Sequence, residues 1–376
     1  MAQTITNSDI FKLMEDFAPK SFAYDWDNVG LQIGSHTKPV KKVMITLDIL
    51  ESVVDEAIEK NVDLIIAHHP ILFKPLKQLN LDSWRGRIIK KLIQHDITAY
   101  AAHTNLDVAN GGVNDMLADL IGVEDRDILV ETTREILYKV TVFVPETHLE
   151  MVTDALAKEG AGHIGNYSHC TFQTKGIGTF IPLSEANPFI GKQHELEKVH
   201  EIKVETIVQQ SILSRVLKTM IAAHPYEEVA YDVYPLENDG EKFGIGRVGR
   251  LKEPTTLEAF VNVVKEALNI ENLRVSGRLD RTIKRIAILG GSGEKYIYPA
   301  LQKKADVLIT GDMSFHFAQE AIEMGISVID AGHYIEQVMK SGTKKYLERK
   351  IKEDATIDKS LEIIISETNT DPFQYR

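Results

Sequence analysis

The sequence predicts an α/β protein, in full an α+β one: a duplicated βαβαβ core interrupted by an inserted ferredoxin-like domain. Three observations carry this prediction. Near-continuous apolar, β-branched runs alternate with helical patterns in the first third of the 376 residues and again in the last third. Such runs mark parallel or mixed sheets covered on both faces. The two thirds repeat one plan, each with a third strand that ends in histidine, in "AAHTNLD" and "DAGHYIE". The middle runs β-α-β-β-α-β, the ferredoxin-like order. A chain of this length exceeds what one core usually serves. The expected segments are 1–130 and 243–376 for the two halves of the core and 131–242 for the insert.

Taken in order, "NSDIFKLMEDF" reads as a short amphipathic helix stopped by Pro19. "VMITLDI" (43–49) is a buried strand and 52–60 a helix. "DLIIAH" (63–68) is a second strand, 84–94 a second helix, and "ITAYAAHT" (97–104) a third strand. In the insert, "ILYKVTVFVP" is a strand and "ETHLEMVTDALAKEG" a helix closed by Gly160. "SHCTFQTKGIGTFIP" reads as a hairpin turning at its glycines. "VHEIKVETIVQ" is a strand, "SILSRVLKTMIAAH" a helix and "EEVAYDVYPL" a strand. "ENDGEKFGIGRVG" reads as a polar, Gly-rich return, followed by a helix over "TTLEAFVNVVKEAL". The second copy has strands at 285–291, 306–312 and 327–333, helices between them, a long helix from about Tyr334 to Lys350, and a last strand at 361–367.

Composition excludes several classes. Lys and Arg number 43 against 55 Asp and Glu, a net charge of −12. That balance opposes non-specific binding to a nucleic-acid backbone. No run of about 18 apolar residues predicts a transmembrane span, and the N-terminus has no apolar signal-peptide core. The single cysteine, Cys170, allows no intramolecular disulfide and fits a reducing, cytoplasmic setting.

The chemistry concentrates where strands stop. In open α/β sheets ligands bind beyond the carboxyl ends of the strands. His68 and His69 end the second strand, and Pro70 forbids a helix start at His69. Such a pair can give one imidazole to each of two metals, or can bond loop carbonyls. His103 and Asp107 follow the third strand four residues apart, one helical turn. His333 and Glu336 do the same in the second copy. The six form a nitrogen and oxygen donor set without cysteine, resembling a dinuclear hydrolase site rather than a closed structural zinc. Asp312 and His316 in "TGDMSFH" are candidates to orient a metal ligand or to act as acid or base. "LGGSGEK", with Gly291, is a tight turn near the site that lacks the spacing of a nucleotide loop. Trp26 in "YDWDNVGLQIG" is a candidate pocket wall. His224 in "AAHPYEE" reads as structural.

"WDNVGLQIG", "IIAHHPILF", "AAHTNLD", "TGD" and "AGHYIE", in this order, resemble the GTP cyclohydrolase 1 type 2 family, also called NIF-three-like. The resemblance covers the core on both sides of the insert. The insert resembles the PII/CutA-like module of the YqfO-type members of bacilli. The resemblance implies a homohexamer, a dimer of trimers, with two divalent ions per subunit facing its interior. It implies the metal ligands His68, His69, Asp107, His333 and the acid that follows. The chain departs from the family in one respect. Many members carry a glutamate four residues after the last motif histidine, where this chain has Gln337 and the acid is Glu336. His103 matches the motif histidine. Zinc is the expected ion, with iron or manganese as alternatives. The expected activity is a metal-dependent opening of a cyclic amidine or amide bond, with GTP as the named candidate substrate. His103 or His316 would protonate the leaving nitrogen, and Trp26, Asp312 and Gly291 would contact substrate. The competing reading is a non-catalytic metal-binding scaffold with the insert as sensor.

Overall fold

The computed structural model describes residues 5–354 and 360–374. The strands, in chain order, begin with β1 (Gly30–Ile33), β2 (Lys42–Thr46), β3 (Leu64–Ala67), β4 (Thr98–Ala101) and β5 (Glu124–Arg134). There follow β6 (Leu137–Pro145), β7 (Thr171–Phe180), β8 (Glu197–Gln209) and β9 (Tyr231–Pro235). The chain closes with β10 (Lys242–Thr256), β11 (Arg274–Ser276), β12 (Thr282–Ser292), β13 (Val307–Gly311), β14 (Ser327–Asp330) and β15 (Glu362–Ile365). The chain forms two compact units. One comprises the segments up to Thr132 and from Phe243 onward; the other is Thr133–Lys242.

The first unit holds two sheets of mixed α/β architecture. One has the order β1-β4-β3-β2-β15 and the other β11-β14-β13-β12-β10-β5. In each, three consecutive strands run parallel, and a short preceding strand joins the third one antiparallel: β1 on β4, β11 on β14. The order 1-4-3-2 therefore recurs as 11-14-13-12. Small details recur with it. Asp63 accepts from the backbone N–H groups of Lys41 and Lys42 at 2.8 and 3.0 Å, and Asp306 accepts from those of Lys284 and Arg285 at 2.9 and 2.8 Å. Each aspartate thus ties the start of its own strand to the start of the preceding one.

Alternation within the strands buries both faces of each sheet. Val43, Ile45, Leu64, Ile66, Tyr100, Ile286, Ile288, Val307 and Ile309 face one shared core, filled by Val113 and Leu117, Phe260 and Val264, and Met339 and Leu347 from helices Val113–Ile121, Leu257–Leu268 and Val338–Glu353. Their neighbours Met44, Ile65, Ala67 and Ala99 face a second core, and Ala287, Leu289, Leu308 and Val328 a third. With both faces covered, the exposed parts of these sheets are their edges and strand ends.

The stretch Tyr24–Gly34 contains β1, and three expectations are corrected. The Gly-rich return contains the start of β10, which includes Gly246 at φ +69. The helix expected from Tyr334 begins as a 3₁₀ turn, His333–Gln337, and becomes α-helical only at Val338. In the insert, "TKGIGTF" does not turn. It is the middle of β7, with Gly176 opposite Glu201 and Gly178 opposite Val199 on β8.

The second unit is the β-α-β-β-α-β sequence of β6, helix Leu149–Lys158, β7, β8, helix Gln210–Ala223 and β9. Its antiparallel sheet has the order β7-β8-β6-β9. Val140, Val142, Val144, Ile202, Val204 and Val208 pack against Val152, Leu156, Val216 and Met220 of the two helices. Phe143, Glu201 and Lys203, one residue out of phase, belong to the opposite sheet face.

Candidate metal centre

β3 ends at Ala67, and its ladder breaks there. The N–H groups of both His68 and His69 reach the Leu47 carbonyl, at 3.1 and 2.9 Å, so the two side chains no longer alternate across a sheet. After β4, His103 caps the short helix Thr104–Val108, which carries Asp107 back over the same strand ends. After β14, Asp330 accepts from the Gly332 and Met313 N–H groups at 3.0 and 3.2 Å and fixes the turn before His333. The 3₁₀ turn that follows has three residues per turn, so His333 and Glu336 eclipse. Their Nε2 and Oε2 atoms stand 3.1 Å apart. Gly291, at the end of β12, has φ +67, and a Cβ there would lie 2.4 Å from Glu336 Oε1. The glycine makes room for the carboxylate.

All six strand-end candidates meet. Ligand atoms of His68, His69 and His103, of His69, His333 and Glu336, and of His68, Asp107 and Glu336 lie within 4.8 Å of one another in each triad. Each imidazole is fixed from behind. His68 Nδ1 donates to the Ala102 carbonyl at 2.8 Å. His69 Nδ1 faces Asp48 at 2.7 Å, His103 Nδ1 faces Asp27 at 2.9 Å and His333 Nδ1 faces Asp312 at 2.7 Å. A carbonyl or carboxylate only accepts, so a proton sits on Nδ1, and each ring in its neutral form offers a bare Nε2 lone pair. Three of these lone pairs, from His68, His69 and His333, converge on carboxylates. Glu336 Oε2 stands 3.1 Å from the Nε2 atoms of His69 and His333 and 3.7 Å from that of His68.

Acceptors that face acceptors need a proton or a cation between them. The electrostatics show the strain. His69 is pushed up to about 10: burial opposes the charge, but hydrogen bonds to Asp48 and Glu336 outweigh it. His333 is pushed up to about 9, first by its hydrogen bond to Glu336. Burial holds His68 neutral. Burial and the nearby Glu336 charge push Asp107 well above the ordinary carboxylate range, whereas the histidines hold Glu336 below it against its own burial. His68 Nε2 and Asp107 Oδ1 are buried without any hydrogen-bond partner. A divalent cation answers each of these features. Donors about 2.1 Å from a tetrahedral ion stand about 3.4 Å from each other, and His69 Nε2 and His333 Nε2 are separated by 3.4 Å. The donor set therefore fits metal ions.

The remaining candidates divide. Trp26 is 57 % exposed and stacks with Tyr24 at 5.7 Å, with Phe73 tilted against it at 5.6 Å and His103 edge-on at 6.1 Å. These rings line a cavity of about 520 Å³ that reaches His69, Asp107, His333 and Glu336. Asp312 also accepts from the Ser292 hydroxyl. His316 is not brought in. It is exposed on helix Phe315–Glu323, packs edge-on against Phe315, and belongs to none of the triads. Two aspartates that orient rings, Asp27 and Asp48, are additions to the expected set. Asp48 follows β2 as His69 follows β3, two residues past the strand end, and that parallel position was the available signal. Asp27 is held about 2 because bonds from His103 and Thr104 outweigh its burial.

A histidine–carboxylate centre at the carboxyl ends of two duplicated parallel sheets defines the class: an α/β protein whose donor set fits divalent ions. The chain belongs to the Duf34/NIF3 (NGG1p interacting factor 3) family, whose profile matches residues 5–372. It is 50% identical over 366 residues to the GTP cyclohydrolase 1 type 2 homolog of Halalkalibacterium halodurans, covering 97% of this chain and 98% of that protein. It is 48% identical over 375 residues to the protein of the same name in Bacillus subtilis, covering 100% of both. A solved Bacillus cereus protein related to NIF3 superposes with a TM-score of 0.93 at 47% identity, covering 100% of both chains.

Proposed function

We propose that this centre holds two divalent ions and hydrolyses a cyclic amidine or amide bond in a planar heterocycle, with GTP ring opening as the named candidate. The observation that supports it is the set of four imidazoles pinned at Nδ1, with the Nε2 atoms of His68, His69 and His333 turned on Glu336 or Asp107. His68, His69, Asp107, His333 and Glu336 are the ligands in this reading. Ions bound there supply Lewis-acid activation of water and neutralise developing negative charge. The rest falls to the chain. Trp26, Tyr24 and Phe73 offer stacking faces for a heterocycle at the cavity wall. His103, its Nδ1 proton held by ionised Asp27, presents Nε2 to the cavity and protonates the leaving nitrogen once it carries a second proton. Hydrolysis adds one water across the ring C–N bond, which breaks with the proton on that nitrogen.

The names of the relatives favour this reaction class. A non-catalytic scaffold would enclose its ions in protein ligands, whereas the cavity opens directly onto His69, His103 and His333. The same reading carries zinc ahead of iron or manganese, a homohexamer built as a dimer of trimers, a PII/CutA-like insert, and a cytoplasmic setting. The β-α-β-β-α-β order supports the insert, and the higher place of zinc in the divalent affinity order supports the choice of ion. Among the described residues no helix is long and apolar enough to cross a membrane. The test is to incubate zinc-loaded wild type and His103→Gln with GTP and to search by mass spectrometry for a product heavier by one water. Product with wild type and its loss in His103→Gln at unchanged metal content support the reading. No hydrated product from the loaded wild type refutes GTP as substrate.

A further inference from the structure

A second cavity, of about 700 Å³, lies wholly within the unit Thr133–Lys242. It sits on the sheet face that the two helices leave open. Its floor is built by an unusual stretch of β7. Gly176 pairs with Glu201, and Gly178 with Val199, so neither places a side chain above the carboxylate. A Cβ at Gly176 would meet nothing within 4 Å, and one at Gly178 would lie 2.1 Å from Glu201 Oε2. Glycine in a strand interior weakens it and often marks close approach of another group.

Glu201 is only 8% exposed. Its Oε1 accepts from the Tyr226 hydroxyl at 3.0 Å, and its Oε2 lies on the Gly178 side. The rings of Phe180 and Phe189 flank Tyr226 at 6.0 and 6.3 Å. His224, buried beneath, locks the same turn: its Nε2 donates to the Phe143 carbonyl at 3.0 Å and its Nδ1 accepts from the Tyr226 N–H at 3.1 Å. The cavity's lysines are neutralised from outside it, Lys175 by Glu146 at 3.0 Å and Lys203 by Glu205 at 3.2 Å. Glu201, Glu227 and Glu228 remain as the lining's carboxylates. Aromatic faces attract cations, and a buried carboxylate accepts strong, charge-assisted bonds from N–H donors.

We propose that this cavity is a binding site for a small protonated amine with an apolar body, its ammonium group on Glu201 Oε2 between the Phe180, Phe189 and Tyr226 rings. The insert is then a receptor for an organic cation, with a site made entirely of its own residues. A neutral isostere would lose the charge-assisted bond, and an anion would meet the carboxylate directly.

The test is calorimetric titration of the full chain with phenethylammonium, and with 2-phenylethanol and phenylacetate as neutral and anionic controls. Phenethylammonium should bind saturably and at least about tenfold more tightly than either control. Glu201→Gln keeps an acceptor for Tyr226 and should erase that preference. Gly178→Ala places a methyl 2.1 Å from Glu201 Oε2, against the carboxylate itself, and should abolish binding. Unchanged circular dichroism and unchanged metal content keep both variants interpretable. No saturable binding to the wild type, equal binding of phenylacetate, or an unaltered preference in Glu201→Gln would overturn the proposal.

Discussion

Asp48→Ala isolates the orienting layer of the centre from the donors themselves. His69 is the imidazole shared by the His68–His69–His103 and His69–His333–Glu336 triads. Its Nδ1 has a single described partner, Asp48 Oδ1 at 2.7 Å, and Asp48 is itself held by the Thr370 hydroxyl at 2.6 Å. Alanine removes the acceptor that fixes the tautomer and ring angle, and touches no donor atom. Loss of such a partner typically costs 10–100-fold in metal affinity, about 1.4–2.7 kcal/mol. Because His69 serves two triads, both binding steps should weaken. Thr370→Val, one bond further out, should do the same to a smaller extent. The assay is competition with a fluorescent zinc chelator on metal-stripped protein. Zinc affinities within about threefold of wild type at both steps in Asp48→Ala would refute the claim that the Nδ1 contacts organise the donors.

Three further outcomes follow from the same coordinates. Arg247 is 3% exposed and pairs with Asp115 through Nε at 2.9 Å and Nη2 at 2.7 Å, so Asp115→Ala leaves a buried guanidinium unpaired and should cost about 3–5 kcal/mol in denaturant unfolding. Gly291→Ala places a methyl 2.4 Å from Glu336 Oε1 at φ +67; it should lower stability by about 1–2 kcal/mol and weaken zinc binding as Glu336 is displaced. Glu56 is held at about 2: burial alone would raise it, but bonds from Ser366, the Glu367 N–H, Lys60 and Thr368 prevail. Its folded-state value lies below the unfolded one, so its stabilisation is complete above about 4.5 and is lost as pH falls toward about 2. Glu56→Gln should flatten that acid limb of the stability profile, and an unchanged limb would contradict the assignment.

Much of the centre was legible because its donors stand at the ends of apolar runs, where a polar side chain has no packing role. His68, His69, His103, Asp107, His333 and Glu336 all announce themselves that way, and the structure gathers all six. The eclipsed geometry of His333 and Glu336 was not legible, since a 3₁₀ turn and an α-helix share the same residue pattern over five positions. Asp48, just after β2, and Asp27, in the turn before β1, were hidden because an aspartate beside a strand end looks like any turn residue. His316 misled for the converse reason: its spacing from Asp312 is right, but the helix carries it outward. The edge strands β1 and β11, four and three residues long, were too short to show a period. The β7 glycines signalled a turn by local chemistry, yet ten consecutive pairs with β8 hold that segment straight.

The central claim is that five strand-end side chains from both copies of the repeat, His68, His69, Asp107, His333 and Glu336, hold two divalent ions. The most direct measurement is zinc per chain by mass spectrometry after saturation and desalting, for wild type and His69→Ala. The account predicts about two ions per wild-type chain and one or none in the variant. A wild-type chain that retains no zinc, or a variant that retains as much as wild type, would contradict it.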